Sequence, residues 1–224
     1  MDRGNLLLVH GAWHGSWCWD LLVPELRARG WTTSVADLPS ASGDPAAGVR
    51  EDAEVVRAAL AELDGPVTVL AHSYAGVPVA EAAGTADRLV YLAAHVLEPG
   101  EAVVTPLGGP WYEAGTELVE VPQPARDLLF ADVPDDVARW AAERLRPQSV
   151  KAFEEPQTTA AWQTVPTASI LCTEDAIFPP LFAERAAKAG VVRYLPGSHS
   201  PFLSRPADLA EVICGVTDEL RAQG

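Results

Sequence analysis

The run Val67-Thr68-Val69-Leu70-Ala71-His72-Ser73-Tyr74-Ala75-Gly76 passes from an apolar strand through a tight turn into a helix. Its first residues, Val67 to Ala71, are predominantly apolar and strand-like, and Leu6-Leu7-Leu8-Val9 earlier in the chain is the short, fully apolar run expected of a strand buried on both faces. The turn is a variant of the G-x-S-x-G elbow, with Ala71 and Ala75 at the small positions. A turn this sharp crowds the residues two before and two after the serine, and alanine fits at both. It would present the Ser73 hydroxyl at a helix N-terminus, where the Tyr74 backbone N–H could stabilise an oxyanion. The competing reading is that Ser73 only caps the helix.

The same alternation recurs outward from this point. Strands are expected at 6–9, 32–36, 67–71, 89–92, 167–172 and 191–195, and helices at 19–29, 49–63, 74–83 and 180–189. The helix at 49–63 carries Val49, Ala53, Val56, Leu60 and Leu63 on one stripe, and Asp64-Gly65-Pro66 ends it. A last helix has Leu209, Val212, Ile213, Val216 and Leu220 on one face. Between 98 and 162 the alternation lapses into recurrent prolines and short helical stretches. Because it then resumes, 98–162 reads as a cap inserted into one core made of 1–97 and 163–224. The expected fold class is α/β: a mostly parallel sheet flanked by helices, with ligands bound beyond the carboxyl ends of the strands.

Those strand ends carry the candidate chemistry. His10-Gly11-Ala12-Trp13-His14-Gly15 follows the first strand, and Gly11 would let the Ala12 N–H serve as a second oxyanion donor. A glycine-rich turn with core tryptophans is the alternative. A serine nucleophile needs a histidine base, itself oriented by a carboxylate. His199 lies in the loop after the last strand and Asp175 just after the strand before it. The order Ser73, Asp175, His199 is the one expected for such an elbow. Glu174 is the alternative acid. His72 is expected to pack within the elbow, and Asp37 to hold a turn. His14, Trp13, Trp111, Trp140 and Phe178 are expected to line an apolar, aromatic substrate pocket, with Trp162 and Phe153 as further candidates.

Composition narrows the function classes. The chain has 224 residues, with 16 Lys and Arg against 31 Asp and Glu, a net charge of −15. That balance, without a basic block, argues against nucleic acid and anionic membrane as partners. No apolar run approaches the ~20 residues of a membrane span. The N-terminal residues do not have the pattern of a secretory leader. Cys18, Cys172 and Cys214 are widely spaced and odd in number, as in a reduced, cytoplasmic protein. There is no metal-ligand spacing, no G-x-G-x-x-G and no phosphate loop, so neither metal nor cofactor is expected. A homodimer is compatible with the sequence.

At these residues the chain resembles the α/β-hydrolase superfamily. It is most similar to the branch of plant methyl-ester esterases, hydroxynitrile lyases and their bacterial esterase relatives. The resemblance rests on 9–19, on Asp37-Leu38-Pro39-Ser40-Ala41-Ser42-Gly43, on 71–76, on Cys172-Thr173-Glu174-Asp175 and on Ser198-His199-Ser200-Pro201-Phe202. It implies a Ser73–His199–Asp175 triad and an oxyanion hole from the Ala12 and Tyr74 N–H groups. In the lyases a threonine follows the first histidine of the oxyanion loop and a lysine follows the catalytic histidine; here Gly11 and Ser200 stand there. Ala71 replaces the commoner elbow glycine, and 98–162 does not match the plant pattern, so substrate choice does not carry over.

The expected activity is hydrolysis of a small aromatic or apolar carboxylic ester through an acyl-enzyme, with that small-molecule ester as the expected partner. Two rivals belong to other classes. A lyase or cyclase using the triad as general base would keep activity without the Ser73 hydroxyl. A non-catalytic ligand receptor would bind tightly and turn nothing over.

Overall fold

The apolar runs become strands almost where the pattern marks them. In order these are β1 (Asn5–Val9), β2 (Thr32–Ala36), β3 (Val67–His72), β4 (Arg88–Leu92), β5 (Leu118–Val119), β6 (Gln148–Ser149), β7 (Thr167–Cys172) and β8 (Val191–Leu195). The computed structural model describes residues 2–178 and 181–223. Six strands form one sheet in the order β2-β1-β3-β4-β7-β8, with every pair parallel. β5 and β6 pair separately and antiparallel.

The helices are α1 (Leu22–Ala28), α2 (Val49–Ala61), α3 (Gly76–Ala82), α4 (Ala125–Leu129), α5 (Asp135–Ala142), α6 (Lys151–Glu154), α7 (Leu181–Ala189), α8 (Pro201–Ser204) and α9 (Pro206–Gln223). Prolines explain where starts differ from expectation. A helix from 19 would carry Pro24 in its interior, so Ser16–Trp19 forms a 3₁₀ turn and α1 begins only at Leu22. Ser73–Ala75 is likewise a 3₁₀ turn, and α3 starts at Gly76 with Pro78 in its first turn. Pro180, the expected start of the helix at 180–189, lies outside the described residues.

Side chains alternate across the sheet with period two. Leu7, Val9, Val69, Ala71, Leu89 and Tyr91 pack on the side of α2 and α3. Leu6, Leu8, Leu70, Val90, Leu92, Ala168 and Ile170 pack on the side of α1 and α9. Every residue of β3 is buried, as a central strand covered on both faces requires. The chain runs from β1 out to β2 and back across to β3. The crevice between the ends of β1 and β3 is therefore the topological switch point, where open parallel sheets bind ligands.

Candidate active site

Strain gathers at this crevice. Among the described residues the non-glycine residues at positive φ are Trp13 (63°), Ser73 (55°) and Ala93 (41°). They follow β1, β3 and β4, which are neighbours in the sheet. Such conformations cost about 1–3 kcal/mol each and persist where surrounding contacts enforce them.

At the elbow the contacts are close. A Cβ on Gly11 would stand 2.8 Å from Ser73 Cβ and 2.7 Å from His72 Nδ1, so only glycine lets the two loops meet. The tightest position is Gly76, where a Cβ would lie 2.1 Å from the His95 carbonyl oxygen. The His95 N–H in turn donates to the Ser73 carbonyl at 3.0 Å. Ser73 is buried.

His199 Nδ1 lies 2.8 Å from Asp175 Oδ2, with the two side chains 2% and 3% exposed. The other carboxylate oxygen, Asp175 Oδ1, accepts from the backbone N–H groups of Ile177 (2.8 Å) and Phe178 (3.1 Å). Burial alone would raise the Asp175 pKa. The His199 charge, its hydrogen bond and the two N–H groups outweigh burial and leave the carboxyl below its ordinary value. Glu174 is exposed and its N–H is taken by the Gly197 carbonyl, so the carboxylate at His199 is Asp175. The His199 carbonyl accepts from His72 Nε2 at 3.0 Å, and the two rings sit 4.7 Å apart. Phe178 also stacks on the His199 ring at 5.5 Å. No hydrogen bond joins Ser73 Oγ to His199 in this resting arrangement; such bonds commonly close only around substrate.

Ala12, Ser73 and Tyr74 line the same cavity. Tyr74 stands in the first turn after β3, where an N–H has no helical acceptor. Ala12 is held by its neighbours: His14 Nδ1 lies 2.8 Å from the Ala12 carbonyl. The strained Trp13 donates its N–H to Gln148 Oε1 (3.1 Å), accepts from the Arg146 N–H (2.9 Å) and donates its indole N–H to the Val119 carbonyl (3.1 Å).

Ala12, Trp13, Ser73 and Tyr74 open onto a cavity of about 200 Å³. Its remaining wall is His95, Val103, Leu107, Trp111, Pro122, Phe153, Ile177, Phe178 and Phe182. Trp13, Trp111 and Phe178 thus stand where a pocket was expected; two other residues do not. His14 is buried away from the cavity, its ring stacked on Trp17 at 5.6 Å and met edge-on by Phe130 and Phe202. Trp140 packs edge-on against Trp17 at 5.3 Å and lies under the Arg144 guanidinium, and it is not part of the cavity wall. Trp162 is core, its indole bonded to the Leu97 carbonyl.

Burial holds His14, His72 and His95 neutral. It pulls His14 and His95 down to about 3, and His72 well below its ordinary value. Asp37, read as a turn residue, bridges His10, the Ser16 N–H and Arg146, and its hydrogen bond to His10 lowers it to about 2. Missed by the sequence reading were Asp52 and Gln148, both fully buried and both hydrogen-bonded to the Ser40 hydroxyl. The available signal was Asp52 itself, a carboxylate three residues after Val49 on the apolar stripe of α2. Among the described residues no group of three or more His, Cys, Asp or Glu is placed to hold a metal, and no helix is long and apolar enough to cross a membrane.

The sequence profile of the alpha/beta hydrolase family matches residues 6–212. An alpha/beta hydrolase of Aspergillus novofumigatus is 27% identical over 98% of this chain and 98% of its own length. A carbendazim hydrolyzing esterase of Nocardioides is 28% identical over 95% of this chain and 99% of its own. Among solved structures, a pyrethroid hydrolase from Sphingobium faniae superposes with a TM-score of 0.78 at 25% identity, covering 96% of this chain and 97% of that one.

Proposed function

Because this chain belongs to the alpha/beta hydrolase family, we propose that it hydrolyses small carboxylic esters with Ser73 as nucleophile, His199 as base and Asp175 as the residue orienting that base. The observation that carries this reading is the buried Asp175–His199 contact of 2.8 Å, whose ring stacks on a wall of the cavity that Ser73 opens into. His199 takes the Ser73 proton as the hydroxyl attacks the ester carbonyl. The Ala12 and Tyr74 N–H groups receive the oxyanion. His199 then protonates the leaving alkoxide, and a water repeats the sequence to release the acid. The similar esterase and pyrethroid hydrolase named above lend the reading support from outside the chain.

Residues 98–162 act as the cap in this reading, since Val103, Leu107, Trp111, Pro122 and Phe153 of that segment form much of the cavity wall. The wall is apolar and aromatic and the space about 200 Å³, which favours a compact aryl or apolar ester over a sugar or a long lipid. Gly11 and Ser200 favour hydrolysis over cyanohydrin cleavage. A side chain at 11 would collide with the elbow, and the residue directly after His199 is Ser200 rather than a cation that could hold a departing cyanide. The three free thiols suit the cytoplasm. The reading is compatible with a homodimer.

The test is turnover of short-chain and aryl chromogenic esters by the native protein and by Ser73→Ala, side by side. Turnover lost with the hydroxyl is expected. Turnover retained without it would move the chemistry to general-base cleavage, and tight binding with no turnover in either would make the protein a receptor.

A further inference from the structure

A directed chain of buried hydrogen bonds runs beneath the crevice and ends on one carboxylate. Tyr74 Oη donates to Asp52 Oδ2 at 2.7 Å. The Ser40 N–H donates to Asp52 Oδ1 at 3.0 Å, and the Ser40 hydroxyl donates to Asp52 Oδ2. Gln148 Nε2 donates to Ser40 Oγ at 2.6 Å, and Gln148 Oε1 accepts the Trp13 N–H at 3.1 Å. Asp52, Ser40 and Gln148 are each fully buried and Tyr74 nearly so.

From this connectivity we infer that Asp52 is a positioning residue for the oxyanion hole, acting through Tyr74 on one side and through Ser40, Gln148 and Trp13 on the other. The inference rests on the hydrolase reading above. The two ends of the chain are informative. Tyr74 carries one proposed oxyanion N–H, and Trp13 is the next residue after Ala12, which carries the other. Trp13 also sits at φ 63°, a conformation that must be enforced from outside. A carboxylate suits the centre because every group around it is a donor. With Ser40 Oγ–H committed to Asp52, the hydroxyl lone pairs stay open to Gln148, which fixes the amide so that its oxygen faces Trp13. Burial raises the Asp52 pKa while the Ser40 and Tyr74 bonds oppose the rise, so carboxylate and donors are interdependent.

Asp52→Asn keeps the shape and breaks the direction. Its oxygen would stay with the Ser40 N–H, so its NH₂ would face two hydroxyls, and the Ser40 proton would lose its acceptor. The expected result is a kcat at least about tenfold lower, because small displacements of catalytic groups are costly. KM should stay within about threefold, since Asp52 is not itself part of the cavity wall. Rates are normalised to active sites counted by stoichiometric phosphonylation of Ser73, so a merely destabilised protein gives fewer sites at full kcat. Tyr74→Phe and Gln148→Leu cut the two arms separately. Combined with Asp52→Asn, each should add less than its own single effect.

An unchanged kcat per titrated site in Asp52→Asn, or full additivity with both arms, overturns the inference. Should Asp52→Asn fail to fold, unchanged kcat per site in Tyr74→Phe and Gln148→Leu overturns it instead. Failure of the hydrolase reading is seen separately, as native turnover that survives Ser73→Ala.

Discussion

The Cα of Gly76 packs against the carbonyl of His95 so closely that a methyl group there would overlap the oxygen, at 2.1 Å. That carbonyl belongs to the residue whose N–H holds the Ser73 carbonyl at 3.0 Å. The backbone after β4 and the strained turn after β3 are therefore one rigid unit. Gly76→Ala must push them apart. Overpacking of this kind costs about 1–3 kcal/mol, or roughly 2–4 °C of Tm per kcal/mol for a chain of this size. Turnover should fall about tenfold or more as Ser73 shifts. Calorimetry and ester turnover per folded molecule check this; an unchanged Tm with full activity would show that the His95 segment yields freely.

Asp175→Asn tests the orienting role. The asparagine oxygen can keep the Ile177 and Phe178 N–H groups, which leaves its NH₂ facing His199 Nδ1. The imidazole is then driven to the tautomer with the proton on Nε2, which cannot accept from serine. A kcat loss on the order of 10³–10⁴, with KM little changed and far-UV CD intact, is expected. A loss below about tenfold would remove Asp175 from the mechanism. Asp175 also ties stability to pH. Its folded pKa is depressed, so its contribution is complete above the unfolded value of about 3.9 and is lost as pH falls through the lower folded value.

The parts of this architecture that the sequence discloses are those set by local physics. β1 and β3 are read directly because strands buried on both faces are predominantly apolar, with Asn5 at the start of β1 and Thr68 and His72 the polar residues of β3. Ser73, Asp175 and His199 are read because a parallel sheet brings the residues after its strands to one edge. The helix starts were misplaced by a few residues where Pro24 and Pro78 confine the first turn. His14 and Trp140 could not be assigned to the right side. The His14 ring is oriented by Trp17, Phe130 and Phe202 and the Trp140 ring by Trp17 and Arg144, and the contacts to Phe130, to Phe202 and between Trp17 and Trp140 join residues more than a hundred positions apart. Gln148 lies in a two-residue strand with no periodic signature at all.

Acid should destabilise the fold earlier than carboxylates alone would bring about. His14 and His95 are held near pKa 3, and His72 is held low as well, chiefly by burial. In the unfolded chain each titrates near 6.5. Depressed folded values mean stability is complete above about 6.5 and is lost between there and about 3 as the unfolded state takes up protons. Each histidine contributes up to ~1.4 kcal/mol per pH unit well inside that window. The raised pKa of Asp52 works in the opposite sense, since protonation relieves a buried charge. The urea midpoint should therefore fall between pH 7 and pH 5.5, and His95→Phe should flatten the fall. A midpoint constant over that range would mean that these rings charge freely in the folded protein.

Trp111 offers the cleanest probe of what the cavity selects. It is 49% exposed at the rim, so its removal should leave the core and the Tm nearly unchanged. Its ring lies 5.0 Å from Phe153, which packs in turn against Trp13 and against Tyr74, the residue after Ser73. An aryl ester entering the cavity would rest on this aromatic wall, gaining about 0.5–1.5 kcal/mol from ring packing beyond the area it buries. Trp111→Ala should raise KM for aryl esters about three- to tenfold with kcat held, and leave the corresponding acetates of small alcohols nearly unaffected. Equal effects on both series would place Trp111 outside the binding path. If the native protein hydrolysed small aliphatic acetates better than every aromatic ester tried, the aromatic wall would be packing for the cap and the selectivity would lie elsewhere.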